Sequence, residues 1–342
     1  MGERLLEVRG LKVKFATEDG TVSAVDGVDF TLDRGEVLGI VGESGSGKSV
    51  TTLTMMGLTR GVNARFEGEV LYKGRDLIRL SEDELQAIRG NEIAMIFQDP
   101  MTSLNPVYRV GAQICEAIHA HNPEITKRAA KARAVELLKA VGIPTPEQRV
   151  DDYPHQFSGG MRQRAMIAMA LSNNPDVLIA DEPTTALDVT IQAQILELID
   201  RLKDEFNSSV ILITHDLGVV ADLADYIVVM YAGRVVEMGT KRQVFYDPQH
   251  PYTWGLLGSI PRLDRPKSER LHSIMGAPPS LINLPEGCKF RPRCQHAFDR
   301  CREEPPLENR VEEPGHLDRC WLPVDQKRGL RDATIHGETR AA

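Results

Sequence analysis

Alternating apolar and polar positions open the chain. Residues 5–15 and 22–32 both alternate, and an acidic pair followed by glycine lies between them at residues 18–20. This pattern is typical of half-buried strands joined by a turn, and residues 68–71 indicate another short strand. The opening of the chain is therefore predicted to be rich in antiparallel β-structure.

Short apolar runs farther along alternate with stretches of helical periodicity. The runs at residues 36–41, 177–180 and 210–213 have the length of buried strands. Between the last two, residues 190–206 repeat apolar side chains at helical spacing. Strands that alternate with helices predict a parallel sheet covered on both faces, and therefore an α/β fold.

Two more helices are indicated in the middle of the chain. Ser81 and Glu84 have the spacing of a capping box, which opens a helix. Residues 126–141 are helical by composition, and prolines at 144 and 146 end that region. The apolar positions spaced for its buried face are Ala129, Ala132, Val135, Leu138 and Val141.

Chain length, net charge and the lack of long apolar runs limit the number of domains and the classes of partner. With about 150 residues per domain, 342 residues predict two domains. A net charge of −8 argues against a nucleic-acid partner. No run approaches the ~20 apolar residues of a membrane span, and the first residues lack the apolar region of a signal peptide. We expect the protein to stay in the cytoplasm, where structural disulfides are disfavoured.

A glycine-rich loop follows the strand predicted at residues 36–41. Its spacing is G-x-x-x-x-G-K-S, which lets successive backbone N–H groups face the phosphates of a nucleotide. Lys48 is expected to reach the β- and γ-phosphates, and the Ser49 hydroxyl to ligate Mg²⁺. The residues predicted to bind a nucleoside triphosphate are Gly42, Glu43, Ser44, Gly45, Ser46, Gly47, Lys48, Ser49 and Val50.

Two carboxylates and a Ser-Gly-Gly sequence offer further chemistry. The strand at residues 177–180 leads into Asp181, placed to hold Mg²⁺ through its water shell, and Glu182, placed to orient or deprotonate water. Taken alone, an acidic strand end is a weak signal. The sequence Ser158, Gly159, Gly160 presents a hydroxyl, two N–H groups and a helix N-terminus, which suit a second nucleotide's γ-phosphate. An ordinary helix cap would have the same sequence.

The order of these motifs resembles the ATP-binding cassette (ABC) family over about residues 5–255. The resemblance implies that Phe15 stacks on adenine, although a single aromatic residue in such a position more often belongs to a strand core. It also implies that Gln98 touches Mg²⁺ and senses a transmembrane partner, and that His215 contacts the γ-phosphate. The implied catalytic residues are Glu182, His215 and Gln98, with Mg²⁺ at Ser49 and Gln98.

Two other motifs of the family imply a pair of cassettes. The signature lies at residues 158–161, where Met161 replaces the usual glutamine, and the serine and glycines are expected to keep its function. Residues 185–188, ending in Asp188, are similar to the loop that crosses to the partner. A signature loop cannot reach its own phosphate loop in this architecture. Two cassettes are therefore implied to pair head to tail, with ATP between them.

The same resemblance implies an ABC-type P-loop NTPase of the α/β class. Its parts are a RecA-like parallel-sheet core, an antiparallel β subdomain and a helical subdomain that carries the signature. We place the ABC ATP-binding domain at residues 1–255. Residues 256–342, rich in proline and loops, are predicted to form a C-terminal extension of the oligopeptide-transporter type with a four-cysteine metal site.

Three segments look like the peptide and nickel uptake subfamily: residues 96–106, 153–156 and 250–253. The whole chain most resembles the first of the two ATPases of bacterial dipeptide importers. This implies a peripheral subunit at the cytoplasmic face of the inner membrane that hydrolyses ATP to import dipeptides or oligopeptides. Nickel, opine or other solutes remain alternatives, because their importers share these motifs. A soluble ABC ATPase acting on nucleic acid and a small-molecule kinase are less favoured.

The subfamily resemblance also implies the partners. A chain with one cassette and no membrane span is expected to need a second, non-identical ABC ATPase subunit and two transmembrane permease subunits. A periplasmic or lipid-anchored solute-binding protein would deliver the solute, and no nucleic acid is expected.

Four of the five cysteines lie near the end of the chain, with C-x5-C-x6-C-x18-C spacing. Such a group in a cytoplasmic chain favours metal ligands over disulfides, although four unligated thiols remain an alternative. The gaps are wider than those of zinc ribbons, whereas iron–sulfur clusters tolerate irregular spacing. The resemblance implies a [4Fe–4S] cluster at Cys288, Cys294, Cys301 and Cys320.

Overall fold

The computed structural model of this chain describes residues 2–99, 103–185, 188–260 and 274–336. The chain forms two compact units, each assembled from separated segments. The first unit comprises Met1–Leu5, Leu32–Val37 and Arg79–Ile213. The second comprises Leu6–Thr31, Leu38–Ile78 and Thr214–Ala342.

The strands have the following bounds in chain order: β1 (Arg4–Thr17), β2 (Gly20–Asp33), β3 (Val37–Val41), β4 (Ala64–Tyr72), β5 (Arg75–Asp76), β6 (Ile93–Ile96), β7 (Val177–Asp181), β8 (Ser209–Thr214), β9 (Tyr226–Tyr231), β10 (Arg234–Thr240), β11 (Glu308–Asn309) and β12 (Leu317–Asp318).

The α-helices have the following bounds: α1 (Lys48–Met55), α2 (Glu82–Ile88), α3 (Val110–His121), α4 (Lys127–Ala140), α5 (Pro146–Arg149), α6 (Gly159–Ala170), α7 (Val189–Phe206), α8 (Leu217–Leu223), α9 (Lys241–Tyr246), α10 (Pro251–Gly258) and α11 (Val324–His336). Short 3-10 helices lie at Pro154–Gln156, Arg291–Arg293 and Asp299–Arg302.

Three parallel strands form the core of the first unit, in the order β8-β7-β6. Every residue of the three strands is buried. A strand covered on both faces has no solvent side, which explains why these sequences are continuous apolar runs. The strands predicted at residues 177–180 and 210–213 are confirmed.

The helices of the first unit follow their predicted positions, with one correction. Ser81 and Glu84 form the predicted capping box at the start of α2, with the Glu84 carboxylate accepting the Ser81 N–H at 2.8 Å. Helix α4 also forms, but Ala129 and Ala132 are exposed. Leu138 and Val141 of the predicted face are buried, as expected. The other buried residues of the helix are Ala130, Ala134 and Leu137.

Side-chain size explains the shifted face of α4. Neighbouring helix positions differ by about 100° in direction, so burial of Ala130 in place of Ala129 turns part of the buried stripe, while Leu138 stays in it. Alanine gains little from burial, whereas a leucine gains about 1.5–3 kcal/mol. The two adjacent leucines therefore set the orientation, and the alanines that share their face are buried with them.

The second unit contains a four-stranded sheet in the order β2-β1-β4-β5, in which β1 with β4 and β4 with β5 pair antiparallel. The predicted antiparallel opening of the chain is confirmed. A second set of strands runs in the order β11-β12-β10-β9-β3. In this set β3 and β9 are parallel, and the other pairs are antiparallel.

The end of the chain combines loops with two helices. Residues 274–323 contain only 3-10 turns and two-residue strands, as their composition predicts. Helix α10 spans Pro251–Gly258 and therefore continues across residue 255, where the sequence places the domain boundary. That boundary stays a prediction. Buried Trp254 of α10 packs with Cys320, Leu322 and α11 residues Leu330 and Ile335. None of the helices that the structure describes has the length and apolar character of a membrane span.

Candidate functional site

The predicted phosphate loop connects β3 to α1 in the second unit. Gly42 has φ of 153°, and a Cβ atom there would lie 2.2 Å from the carbonyl oxygen of Met230. Gly47 has φ of 100°, and its Cβ would lie 2.4 Å from the Ala24 carbonyl oxygen. Both positions require glycine, because other residues would clash with neighbouring backbone.

The interior of the loop holds polar groups suited to an anion. Lys48 is buried at the start of α1, and its Nζ donates to the carbonyl oxygens of Gly42 at 2.7 Å and Glu43 at 3.1 Å. The buried Ser46 Oγ has no hydrogen-bond partner among the described residues. An unpaired buried hydroxyl is costly, and a phosphate oxygen would satisfy it. The loop therefore fits a nucleotide phosphate group.

The second unit also contains Phe15 and His215. Phe15 is half-buried on β1, where its backbone pairs with that of Ala64 on β4. His215 is exposed just after β8, and the following Asp216 caps α8 by accepting the Gly218 N–H at 2.7 Å. Their contacts with adenine and with the γ-phosphate stay predictions.

In the first unit, the structure brings Glu182 and Gln98 together. The Glu182 carboxylate accepts a hydrogen bond from Gln98 Nε2 at 3.2 Å and another from Thr185 Oγ1 at 2.9 Å. Glu182 has φ of 46°, and its N–H donates to the Ile213 carbonyl oxygen at 2.9 Å. A left-handed backbone at a non-glycine residue is a strain that clusters at functional sites. Asp181, just before it, is buried.

Gln163 is a residue of this region that the sequence analysis missed. It lies on α6, is buried, and donates from Nε2 to the Pro183 carbonyl oxygen at 2.6 Å. This contact ties the helix of the Ser-Gly-Gly motif to the loop that carries Glu182. Sequence periodicity does not distinguish a buried glutamine on a helix from an exposed one, so Gln163 could not be singled out.

The Ser-Gly-Gly motif begins α6, as predicted. Ser158 is the N-cap, and its Oγ accepts the Met161 N–H at 3.3 Å. Ser158 and Gly159 are exposed, and a Cβ atom on Gly159 would meet nothing within 4 Å. The open N-terminus of a twelve-residue helix can accept an anion. Gly160, the second glycine, lies in the first turn.

The crossing-loop and subfamily motifs are described only in part. Asp188 caps α7 by accepting the Ile191 N–H at 3.0 Å. Residues 186 and 187 of the crossing loop, and residues 100–102 of the segment after Gln98, lie outside the described residues. Their predicted contacts with a partner cassette and a permease stay predictions.

The four C-terminal cysteines line one small cavity of about 10 Å³ in the second unit, together with Phe290 and His296. All four are free thiols. Four converging thiols match the donor set of an iron–sulfur cluster. Within the described residues, however, no three His, Cys, Asp or Glu side chains are arranged to hold a metal ion. The structure thus brings the predicted ligands together without giving them a metal-binding geometry.

Burial controls the protonation of these thiols. It raises the pKa of Cys288 to about 11 and the pKa values of Cys294 and Cys320 to about 12. At neutral pH the three thiols are therefore protonated, and any metal would have to displace protons on binding.

The segment at residues 250–253 reaches the phosphate loop. Tyr252 is fully buried on α10, and its Oη accepts the Glu43 N–H at 2.8 Å. Arg293 binds the Glu43 carboxylate with two nitrogens, at 2.5 and 2.9 Å. Neither contact was predicted, because more than two hundred residues separate the partners along the chain.

Comparison with known proteins identifies the family. A family model described as "ABC transporter" matches residues 25–185. Another, described as "Oligopeptide/dipeptide transporter, C-terminal region", matches residues 236–301. The chain is 57% identical to the oligopeptide transport ATP-binding protein OppD of Bacillus subtilis, over 93% of this chain and 89% of that protein. The chain belongs to the ABC transporter family.

Other relatives match this ABC protein over nearly its whole length. It is 54% identical to OppD of Salmonella typhimurium, over 94% of this chain and 95% of that protein. It is 52% identical to the dipeptide transport ATP-binding protein DppD of Bacillus subtilis, over 99% of both chains. The resemblance of the sequence motifs to the ABC family and to its peptide uptake subfamily is therefore confirmed.

Solved cassettes share the fold. The dimeric structure of MJ0796, a bacterial ABC transporter cassette, has a TM-score of 0.62 and 29% identity, covering 70% of this chain and 99% of that one. The same cassette in a post-hydrolysis state, bound to ADP and Pi, gives a TM-score of 0.62 at 28% identity. The ABC-type P-loop NTPase fold predicted from the sequence is confirmed.

Proposed function

We propose that this ABC protein is the subunit that hydrolyses ATP to power uptake of dipeptides and oligopeptides. The observation that carries the proposal is the Glu182 carboxylate, held by Gln98 and Thr185 at the end of a buried strand. A phosphate loop with a buried lysine supports ATP as the substrate. Relatives at 52–57% identity are oligopeptide and dipeptide transport ATP-binding proteins, which supports peptides as the cargo.

In the reaction, the loop residues 42–50 bind the phosphates and Phe15 stacks on adenine. Ser49 and Gln98 would hold Mg²⁺, to which Asp181 would contribute through water, and the ion would neutralise charge on the phosphates. Glu182 accepts a proton from water as the water oxygen attacks the γ-phosphorus. The bond from that phosphorus to the bridging oxygen breaks, which leaves ADP and inorganic phosphate, and Glu182 then returns its proton to solvent. His215 contacts the γ-phosphate.

The signature implies that catalysis needs a second cassette. Ser158, Gly159 and Gly160 would bind the γ-phosphate of ATP held by the partner, and Asp188 would contact that partner. The proposed assembly contains a second, non-identical ABC ATPase subunit, two permease subunits and a solute-binding protein. This chain would sit peripherally on the cytoplasmic face of the cell membrane, with residues 1–255 as the ATP-binding domain and 256–342 as the extension.

Uptake in cells tests the cargo. A strain of the native host that lacks this chain should regain uptake of a radiolabelled dipeptide when the wild-type chain is supplied, but not with Glu182→Gln. Nickel uptake should be the same with both. Restored nickel or opine uptake without restored dipeptide uptake would assign the chain to another importer of the subfamily.

The four cysteines support a further proposal, that Cys288, Cys294, Cys301 and Cys320 hold a [4Fe–4S] cluster. Support comes from their convergence on one cavity and from their spacing. A bound cluster would supply covalent iron–thiolate bonds between segments with few apolar side chains, and so brace the extension.

Metal analysis of the native protein tests the cluster. Protein purified anaerobically should contain about four iron and four sulfide per chain, and Cys294→Ser should lose most of both, because a hydroxyl replaces a soft thiolate. Cys115→Ser, which removes the cysteine outside the extension, should keep them. Stoichiometric zinc without iron would contradict the cluster and leave the transport function standing.

A further inference from the structure

Glu43 of the phosphate loop is held by two residues from outside the loop, Tyr252 of helix α10 and Arg293 of the C-terminal extension. Its N–H donates to Tyr252 Oη at 2.8 Å, and its carboxylate receives two bonds from Arg293. Its carbonyl oxygen accepts hydrogen bonds from Lys48 Nζ at 3.1 Å and from the Ser46 N–H at 3.2 Å. Glu43 therefore links Arg293 of the extension to Lys48 of the phosphate loop.

The Arg293 side chain is buried and held by several hydrogen bonds. Its side chain is 5% exposed, whereas that of Glu43 is 28% exposed. Beyond Glu43, the guanidinium donates to the Met275 carbonyl oxygen at 3.0 Å and to Tyr231 Oη at 3.4 Å. A planar guanidinium that binds a carboxylate with two nitrogens fixes direction as well as charge.

The backbone at Arg293 is supported by the residues that precede it. Arg293 ends a 3-10 helix, and its N–H donates to the Phe290 carbonyl oxygen at 2.9 Å. Buried Phe290 packs against the rings of Tyr231 and Tyr252, with centroids 5.2 and 5.4 Å away. The aromatic cluster of Tyr231, Tyr252 and Phe290 therefore includes one of the two side chains outside the loop that contact Glu43 and supports the backbone of the other, Arg293.

Glu43 brings an unfavourable charge to this loop. A carboxylate next to Gly42 would repel the phosphates of a nucleotide, and the repulsion in a partly buried site is stronger than in water. Arg293 neutralises that charge and keeps it turned toward the extension. Without Arg293, both the charge and the freedom of the Glu43 side chain would oppose nucleotide binding.

We propose that Arg293 is a positioning residue for ATP binding, which acts by neutralising and orienting Glu43 of the phosphate loop. The proposal rests on the proposed function only in taking ATP as the ligand. It makes the extension a determinant of nucleotide affinity, although no residue of the extension belongs to the ATP-binding motifs.

The test measures nucleotide affinity and turnover separately, in the assembled transporter. Loss of a charge-assisted pair predicts that Arg293→Ala raises the Kd for Mg-ATP roughly tenfold, with kcat at saturating ATP changed by less than about twofold. The matched control is Arg331→Ala, which removes an arginine of the same extension that pairs with Asp247, outside the loop. The control should bind ATP like the wild type.

A double variant separates charge from packing. Glu43→Gln added to Arg293→Ala removes the unpaired carboxylate and should bring the Kd back to within about threefold of wild type. An Arg293→Ala protein that binds ATP like wild type would overturn the proposal. So would a double variant that binds no better than Arg293→Ala, because the loss would then come from disrupted packing.

Two further variants cover the case in which Arg293→Ala does not fold. Arg293→Lys and Arg293→Gln are similar in length, but only lysine keeps the charge. Tighter Mg-ATP binding by the lysine variant supports the proposal, and equal affinity overturns it. Peptide uptake is not used as a readout, so a wrong cargo assignment would leave this result unaffected.

Discussion

Glu182 combines a left-handed backbone with a carboxylate held by two side chains. Its φ of 46° costs of order 1–3 kcal/mol at a non-glycine residue. The hydrogen bond from its N–H to the Ile213 carbonyl oxygen helps to hold this conformation. Gln98 and Thr185 then fix the direction of the carboxylate. A base that is already oriented loses little further freedom when its substrate water arrives.

Glu182→Gln is expected to separate binding from hydrolysis. The amide keeps the size of the side chain but cannot accept the proton of water, so turnover should fall by at least about 100-fold. The Kd for Mg-ATP, measured with a fluorescent nucleotide, should stay within about threefold of wild type because the phosphate loop is unchanged. Turnover near that of the wild type would remove Glu182 from the role of base.

Lys48→Ala should give the opposite pattern. The substitution removes the ammonium from the loop, so we expect ATP affinity to fall by roughly tenfold or more. Unfolding of the apo protein by urea should be measured beside it, because Lys48 also bonds the carbonyl oxygens of Gly42 and Glu43. Normal affinity in a folded variant would contradict the assignment of the loop.

The motif residues could be predicted because each carries its signal locally. A glycine, lysine and serine at fixed spacing define the loop, and an apolar run that ends in carboxylates defines the Glu182 strand. Arg293 and Glu43 carry no such signal, because their contact joins positions 250 residues apart. A long-range ion pair between two common residue types leaves no periodicity to detect.

At the scale of elements, α10 is held by a buried histidine. His250 caps the helix, with its Nδ1 accepting the Tyr252 N–H at 3.1 Å, and its own N–H donates to buried Glu237 at 3.0 Å. Burial lowers the pKa of His250 to about 3, from an ordinary value of 6.5. The folded protein therefore holds the His250 ring in its neutral form.

This histidine predicts a loss of stability in acid. Below pH 6.5 the unfolded chain binds a proton at His250 that the folded chain does not bind until about pH 3. The free energy of unfolding should therefore fall with decreasing pH in this window, by up to about 1.4 kcal/mol per unit. His250→Asn keeps an N-cap acceptor without titrating, so urea unfolding at pH 7.5 and 5.5 should show a smaller difference. Equal differences in both proteins would contradict this role.

Elements were predictable where one pattern dominated. The strands β7 and β8 are continuous apolar runs, and α2 begins with a complete capping box. Helix α4 was found, but with its face partly shifted, because its five small alanines outnumber the two leucines that set the packing. The antiparallel strands β9 and β10 and the C-terminal helices α10 and α11 were not predicted from the sequence. The two helices lie among prolines, which obscure helical periodicity. Strands β9 and β10 are apolar runs without proline, and their signal was not used in the sequence analysis.

At the scale of the whole molecule, one cassette offers a phosphate loop and a signature helix. Head-to-tail pairing would give each ATP a phosphate loop from one cassette and Ser158 from the other. The proposed transporter would therefore close with ATP bound and reopen after hydrolysis.

Pairing predicts that activity depends on concentration. ATP turnover per chain should fall when the isolated protein is diluted, because pairing is lost. The added non-identical cassette should raise turnover at a fixed concentration of this chain, and Ser158→Tyr should reduce that effect by blocking the open helix N-terminus. Turnover that is independent of dilution and of the second cassette would contradict the paired site.

The most direct measurement of the central claim uses the purified transporter, with this chain in it, in lipid nanodiscs. ATP hydrolysis is followed with the solute-binding protein added empty, loaded with a dipeptide, or loaded with nickel. We predict that the dipeptide-loaded protein raises hydrolysis, that the others do not, and that Glu182→Gln in this chain removes most of the increase. Hydrolysis that is unchanged by the dipeptide-loaded protein, or an increase that survives Glu182→Gln, would contradict the account.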